Sequence, residues 1–182
     1  MDSDSGLRLS QDEINKALLH GEIASPKLMP WGSNGTFLVT VSQGPQTHRA
    51  VYKPRSGERP LRDFPSGTLY KREYAAYLVS QALSWDFVPT TVIRDGPHGI
   101  GSLQQFIDFD PKSSYFTLLE ECPEELERIA LFDCLSNNAD RKAGHCLKGR
   151  DGRVWSIDHG LTFHQHPKLR TVIWDFAQEP IP

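Results

Sequence analysis

Residues 137–160 read NNADRKAGHCLKGRDGRVWSIDHG. The turn between Gly149 and Gly152 separates two short runs with strand character, 146–148 and 153–157, a pattern that predicts a hairpin. A hairpin returns the chain to its starting point. Asp140, before the first strand, and Asp158, after the second, are therefore expected side by side although 18 positions separate them. Two adjacent carboxylates suit a base and a metal ligand, and His145 opens the same hairpin. Aspartate is also a favoured turn residue, so spacing alone leaves a plain turn role equally open.

Upstream, Pro123 starts a predicted helix. Proline fits the first helical position, Glu124 and Glu125 sit where the helix dipole favours anions, and Leu126, Ile129, Ala130 and Cys134 form an apolar stripe ending near Asn137. Residues 70–83 predict a second helix, with Tyr70, Tyr74, Tyr77, Leu78 and Gln81 on one side and Glu73 at its buried edge. Runs at 37–41 and 50–53, joined through Gly44-Pro45, predict an antiparallel pair, and runs at 90–93 and 100–107 around Asp95-Gly96-Pro97 predict another. Ser10 and Glu13 form a capping-box pair ahead of Ile14, Ala17 and Leu18, with Gly21 as a stop, which predicts a helix at 10–20. The class is α+β. The polar stretch 108–114 divides an expected N-terminal lobe, 1–107, from a C-terminal lobe, 108–182.

Composition excludes several functions. The 182 residues are 38% hydrophobic and 24% charged, enough apolar material for a core. A net charge of −3 without a basic block argues against nucleic acid as a partner. No apolar run approaches membrane-spanning length, and the acidic, serine-rich start differs from a secretory signal, so a cytoplasmic location is expected. Cys122, Cys134 and Cys146 have neither disulfide-framework nor zinc spacing and are expected to be reduced. His159, His164 and His166 match no clean zinc-ligand set.

Two further features lie in the first lobe: Lys53 ends a predicted strand, and Glu73 lies on the helix that follows. A strand lysine paired with a helix glutamate is how kinase folds hold nucleotide phosphates. The turn Trp31-Gly32-Ser33-Asn34-Gly35 offers backbone amides that could close over phosphates. Singly, each has a plainer reading: an edge lysine, a surface partner of Lys71, a common glycine turn. Their joint order with the Asp-Arg loop and the Asp-His-Gly motif is harder to dismiss.

From about Trp31 onward the chain resembles the phosphoinositide 3-/4-kinase superfamily, most of all type II phosphatidylinositol 4-kinases and their small bacterial relatives. GSLQQFID (101–108) is similar to the family's lobe-connecting hinge, NNADRKAGH (137–145) to its catalytic loop, and WSIDHGLTFH (155–164) to its metal-binding motif. The resemblance implies a protein-kinase-like two-lobe fold with a small antiparallel sheet and one helix in the first lobe and a reduced second lobe. It implies an ATP-dependent phosphotransferase in which Asp140 is catalytic and Arg141 supports its loop. Lys53 would bind ATP phosphates, Glu73 would orient Lys53, and the turn at Ser33 and Asn34 would cover the phosphates. The backbone of Gln105, Phe106 and Ile107 would meet adenine, and Asp158 would hold Mg²⁺ or Mn²⁺. Where the family usually carries Asn as a second metal ligand, this chain has His145, an imidazole that suits softer ions than Mg²⁺. The family's cysteine-rich palmitoylation stretch has no counterpart between Ser56 and Tyr70, so the hydroxyl acceptor is expected to be a protein or small molecule rather than lipid. A nucleotide-binding pseudokinase or scaffold, and AMP transfer on the same fold, are the alternatives.

Overall fold

In the computed structural model, which describes residues 10–30, 34–178 and 180, Ser10 and Glu13 close the predicted capping box. The Glu13 amide donates to Ser10 Oγ at 3.3 Å and the Ser10 amide to Glu13 Oε2 at 2.8 Å. Helix α1 (Gln11–His20) then runs to Gly21, whose amide donates to the Ala17 carbonyl. β1 (Glu22–Leu28) was not anticipated, and the reason is physical. It carries Pro26, bulges between Ala24 and Lys27, and is exposed along most of its length, so the backbone ladder to β2 holds it without a side-chain pattern.

β2 (Phe37–Gln43) and β3 (Gln46–Pro54) form the predicted hairpin, and β4 (Thr91–Gly96) and β5 (Gly99–Gln105) the second. The turn of the second falls on Pro97-His98, with Gly99 at φ 90, two residues later than its sequence signal. The five strands are antiparallel in the order β1-β2-β3-β5-β4. Cross-strand partners share a face. Val39, Val41, Ala50, Tyr52, Val92 and Leu103 pack together on one face beneath Leu18 and Ile14 of α1. On the other, Lys53 lies opposite Ser102, and Val51 opposite Gln104.

α2 (Leu69–Ala82) packs against β4 and β5. Its covered stripe is Tyr70, Glu73, Tyr77 and Ser80, whereas Leu78 is exposed. Leu69 and Ala76 are buried as well, and Glu73 and Ser80 interrupt the covered face with polar groups, which is why apolar periodicity misplaced Leu78. After a short irregular stretch come α3 (Tyr115–Glu121), also not anticipated, and α4 (Pro123–Leu135). On α4 the buried positions are Leu126, Ile129, Phe132 and Asp133, and Cys134 is exposed rather than part of the stripe. Phe132 meets Phe87 edge to face at 5.2 Å in a second core that also takes in Ala76, Tyr115, Leu118 and Ile173. Each such large apolar side chain contributes about 1.5–3 kcal/mol on burial. β6 (Cys146–Lys148) and β7 (Val154–Ser156) form the predicted hairpin, with Cys146 opposite Ser156.

Candidate active site

The end of β3 and the first turns of α2 bring Lys53 and Glu73 together: Lys53 Nζ donates to Glu73 Oε1. The same ammonium reaches Asp158 Oδ1 at 2.9 Å, across 105 residues. Lys53 thus joins the sheet to the loop after β7. Burial works against the Lys53 charge, but Asp158 and Glu73 together more than offset it and raise its pKa. Lys53, chiefly, holds the Asp158 carboxyl well below its usual range. Glu73, almost fully buried, is pushed upward by burial despite Lys53, so it is the first of the two carboxylates to take up a proton.

Glu73 has a second tie. Its Oε2 accepts from the His159 amide at 3.0 Å, and the next residue, Gly160, lies close enough that a Cβ there would stand 3.4 Å from Oε1. Asp158 takes φ 62, a left-handed conformation that aspartate tolerates better than most residues, and its side chain faces Lys53 while the backbone after it faces Glu73.

The two ends of the β6–β7 hairpin are tied by Arg141. Its guanidinium donates to the Ile157 carbonyl at 3.0 Å, next to Asp158, and forks onto Asp133 of α4 with both bonds at 2.8 Å. Both side chains are fully buried. Burial opposes the Arg141 charge, but Asp133 outweighs it and raises the pKa. Asp133 also accepts from Asn138 Nδ2 at 2.8 Å, and Asn138 Oδ1 accepts from the Asp140 amide at 3.0 Å. Asp140 itself is partly exposed, its carboxylate 2.8 Å from Lys142 Nζ. Asp133 and His159 were not anticipated as site residues. A buried carboxylate inside an otherwise apolar helix stripe was the signal for Asp133.

His159 is fully buried, with Nε2 2.9 Å from Arg141 Nη2. Arginine has no lone pair to offer, so Nε2 must accept and the proton sits on Nδ1, which has no partner among the described residues. Burial, aided by Arg141, drives the His159 pKa well down. His145 is likewise lowered, mainly by burial. Its Nε2 lies 3.3 Å from Asp158 Oδ2 and its Nδ1 faces the Lys142 amide at 3.4 Å.

Two histidines whose pKa is lower in the folded than in the unfolded chain bias the unfolded state towards protons. Stability is expected to be level above pH ~6.5 and to fall below it, by about 1.4 kcal/mol per pH unit for each fully protected histidine. Urea unfolding at pH 7.5 and 5.5 checks this: His159→Gln should flatten the dependence, and an equal loss in both proteins would remove His159 as its source.

The hinge residues are split. The Gln105 amide donates to the Thr90 carbonyl at 2.8 Å and the Phe106 amide to Arg49 at 3.1 Å, while the Ile107 amide and carbonyl have no partner among the described residues. Gln104, one position earlier, lies on the Lys53 face and is buried. Ser33 lies outside the described residues. Asn34 Oδ1 accepts from the Arg59 amide at 2.9 Å, and the Gly35 amide donates to the Gly57 carbonyl at 2.9 Å. The glycines are required there, because a Cβ on Gly57 would meet the Gly35 oxygen at 2.6 Å.

Among the described residues no helix is long and apolar enough to cross a membrane. No known family profile matches the chain. It resembles a Helicobacter pylori proinflammatory kinase, CtkA, with a TM-score of 0.52 at 15% identity, covering 84% of this chain and 62% of that one. That likeness shows a kinase-like two-lobe α+β fold. Phosphatidylinositol 4-kinase gamma 4 of Oryza sativa subsp. japonica is 27% identical over 85% of this chain, which spans only 34% of the rice protein. Protein Rv2133c of Mycobacterium tuberculosis is 42% identical over 97% of this chain and 77% of its own length. The chain belongs to the same protein family as the mycobacterial Rv2133c.

Proposed function

We propose that this protein is an ATP-dependent phosphotransferase of the phosphatidylinositol 3-/4-kinase-like type, acting on a hydroxyl acceptor that is a protein or small molecule rather than lipid. The observation that carries this is the single ammonium of Lys53 held between Glu73 and Asp158. A cation buttressed by a buried glutamate and aimed at an exposed aspartate is poised for phosphate oxygens. ATP lies between the 1–107 and 108–182 lobes, its base at the free amide and carbonyl of Ile107, beside Gln105 and Phe106. Asn34 and Gly35, tied to the segment after β3, cover the phosphates.

Asp158 and His145 fit a divalent cation. Their facing atoms, 3.3 Å apart, nearly match the ~3.0 Å edge of an octahedron with ~2.1 Å bonds. No group of three or more His, Cys, Asp or Glu side chains among the described residues forms a metal cage, so Asp158 and His145 would hold the ion with the help of non-protein oxygens, as is usual for Mg²⁺. Ligation through Nε2 needs the Nδ1-protonated tautomer, which forfeits only the long contact to the Lys142 amide. When bound, Mg²⁺ or Mn²⁺ neutralises charge on the phosphates.

The chain's own residues position and polarise. Asp140 accepts the proton of the acceptor hydroxyl, and Arg141, locked on Asp133, fixes the distance between the Asp140 loop and the Asp158 backbone. Lys53 stabilises charge on the transferred group. Incubation with γ-labelled or α-labelled ATP separates the alternatives. Movement of the γ-label supports the kinase, movement of the α-label an AMP transferase, and binding without movement of either a pseudokinase or scaffold.

A further inference from the structure

Among the described residues Gln104 is the one buried amide side chain on the sheet face that carries Lys53, and its orientation is dictated by its neighbours. Its Nε2 lies 2.8 Å from Thr91 Oγ1 on β4. The Thr91 hydroxyl has a single proton, which it donates to the Pro89 carbonyl at 2.8 Å. It can therefore only accept from Gln104, and the amide must turn its NH₂ towards Thr91. That leaves Gln104 Oε1 as a fixed acceptor. It receives no hydrogen bond from any described residue, so a buried acceptor is left for a ligand to satisfy. Gln104 stands two strand positions from Ser102, the cross-strand partner of Lys53, in the direction of the unpaired Ile107 amide. At about 3.4 Å per residue the side chain lies ~7 Å along the cleft from the level of Lys53.

We infer that Gln104 reads the nucleobase: Oε1 accepts from the exocyclic 6-amine of adenine, and Thr91 enforces selectivity by preventing the amide from flipping. Guanine would set its 6-carbonyl against a carbonyl that cannot turn away. This rests on the nucleotide-binding reading above and adds to it the residue pair that chooses the base. The cost of facing two acceptors and leaving both unpaired gives an expected preference for ATP over GTP of about 10- to 100-fold.

The test removes the amine from the base and the amide from the protein in turn. Dissociation constants of ATP, GTP and purine riboside triphosphate, which lacks the 6-amine, are measured with the full chain as wild type, Gln104→Leu and Thr91→Val. Wild type should bind ATP about 3- to 10-fold more tightly than the purine analogue, the worth of one neutral hydrogen bond. In Gln104→Leu that ratio should fall several-fold, because only the Ile107 carbonyl is left to miss the amine. In Thr91→Val the freed amide can present NH₂ to guanine, and the ATP-to-GTP ratio should fall several-fold while the sum of the two affinities changes little. A wild-type ratio of 1 for ATP over the analogue overturns the assignment, as does the same ratio in wild type and Gln104→Leu. Failure of wild type to bind any of the three overturns the nucleotide reading as well, which keeps the two failures apart.

Discussion

Lys53→Met is expected to weaken ATP binding and phosphoryl transfer by at least about a hundredfold. Held by Glu73 and Asp158, the ammonium would make charge-assisted bonds to two phosphates of the nucleotide, each worth about 1.5–3 kcal/mol, where a factor of ten is 1.4 kcal/mol. With the lysine gone, Glu73 faces Asp158 without an intervening cation. Burial already pushes Glu73 upward, the loss of Lys53 pushes it further in the same direction, and the pair no longer offers a positive centre to phosphate. The control is Lys168→Met. Lys168 pairs with Asp63 away from this cluster, and its loss should leave nucleotide affinity within a factor of two. Calorimetric titration of ATP with the three proteins decides the matter: equal affinity in wild type and Lys53→Met would end the phosphate-binding role.

The second large effect is on stability. Asp133→Ala strands the Arg141 guanidinium in a site where both partners are fully buried. Removing one partner of such a pair costs about 3–5 kcal/mol, which in a chain of this size lowers Tm by roughly 6–20 °C. The same change frees Asn138, which positions the Asp140 amide, and unties Arg141 from its fork, so transfer should fall further than unfolding alone explains. Replacing both partners, Asp133→Leu with Arg141→Met, removes the stranded charge and should recover most of the stability. It should not recover activity, because the tie from the Asp140 loop to the Ile157 carbonyl is still missing. Thermal unfolding of the single and double variants measures both halves. A loss under about 1 kcal/mol for Asp133→Ala would show that the pair holds nothing together.

The cleft and the core were legible to different degrees. Spacing predicted the β6–β7 hairpin, the α2 and α4 helices and the capped start of α1, because turn chemistry and periodicity act within a window of a few residues. It also placed Glu73 near a buried edge. It did not reveal how completely Glu73 is enclosed, or that it serves Lys53 and the His159 amide at once. α3 was hidden by its shortness, and β1 by an exposed surface with no alternation to read. Cys134 and Leu78 were assigned to covered faces because they fit an apolar period, whereas Asp133 and Ser80 occupy those faces as hydrogen-bonded polar groups.

The sequence by itself therefore determined most of the elements, though neither β1 nor α3, and the candidate residues Lys53, Glu73, Asp140 and Asp158, since these follow from local patterns and from motifs on one stretch of chain. Only the tertiary structure decided that Lys53 reaches Asp158 across 105 residues, that Arg141 is locked between α4 and the hairpin, and that Thr91 sets the direction of the Gln104 amide. Those choices depend on sheet register and on which distant groups share a water-poor space. There a polar atom without a partner costs more than local propensity can supply, so long-range pairing, rather than local pattern, dictates where each charge and each amide must point.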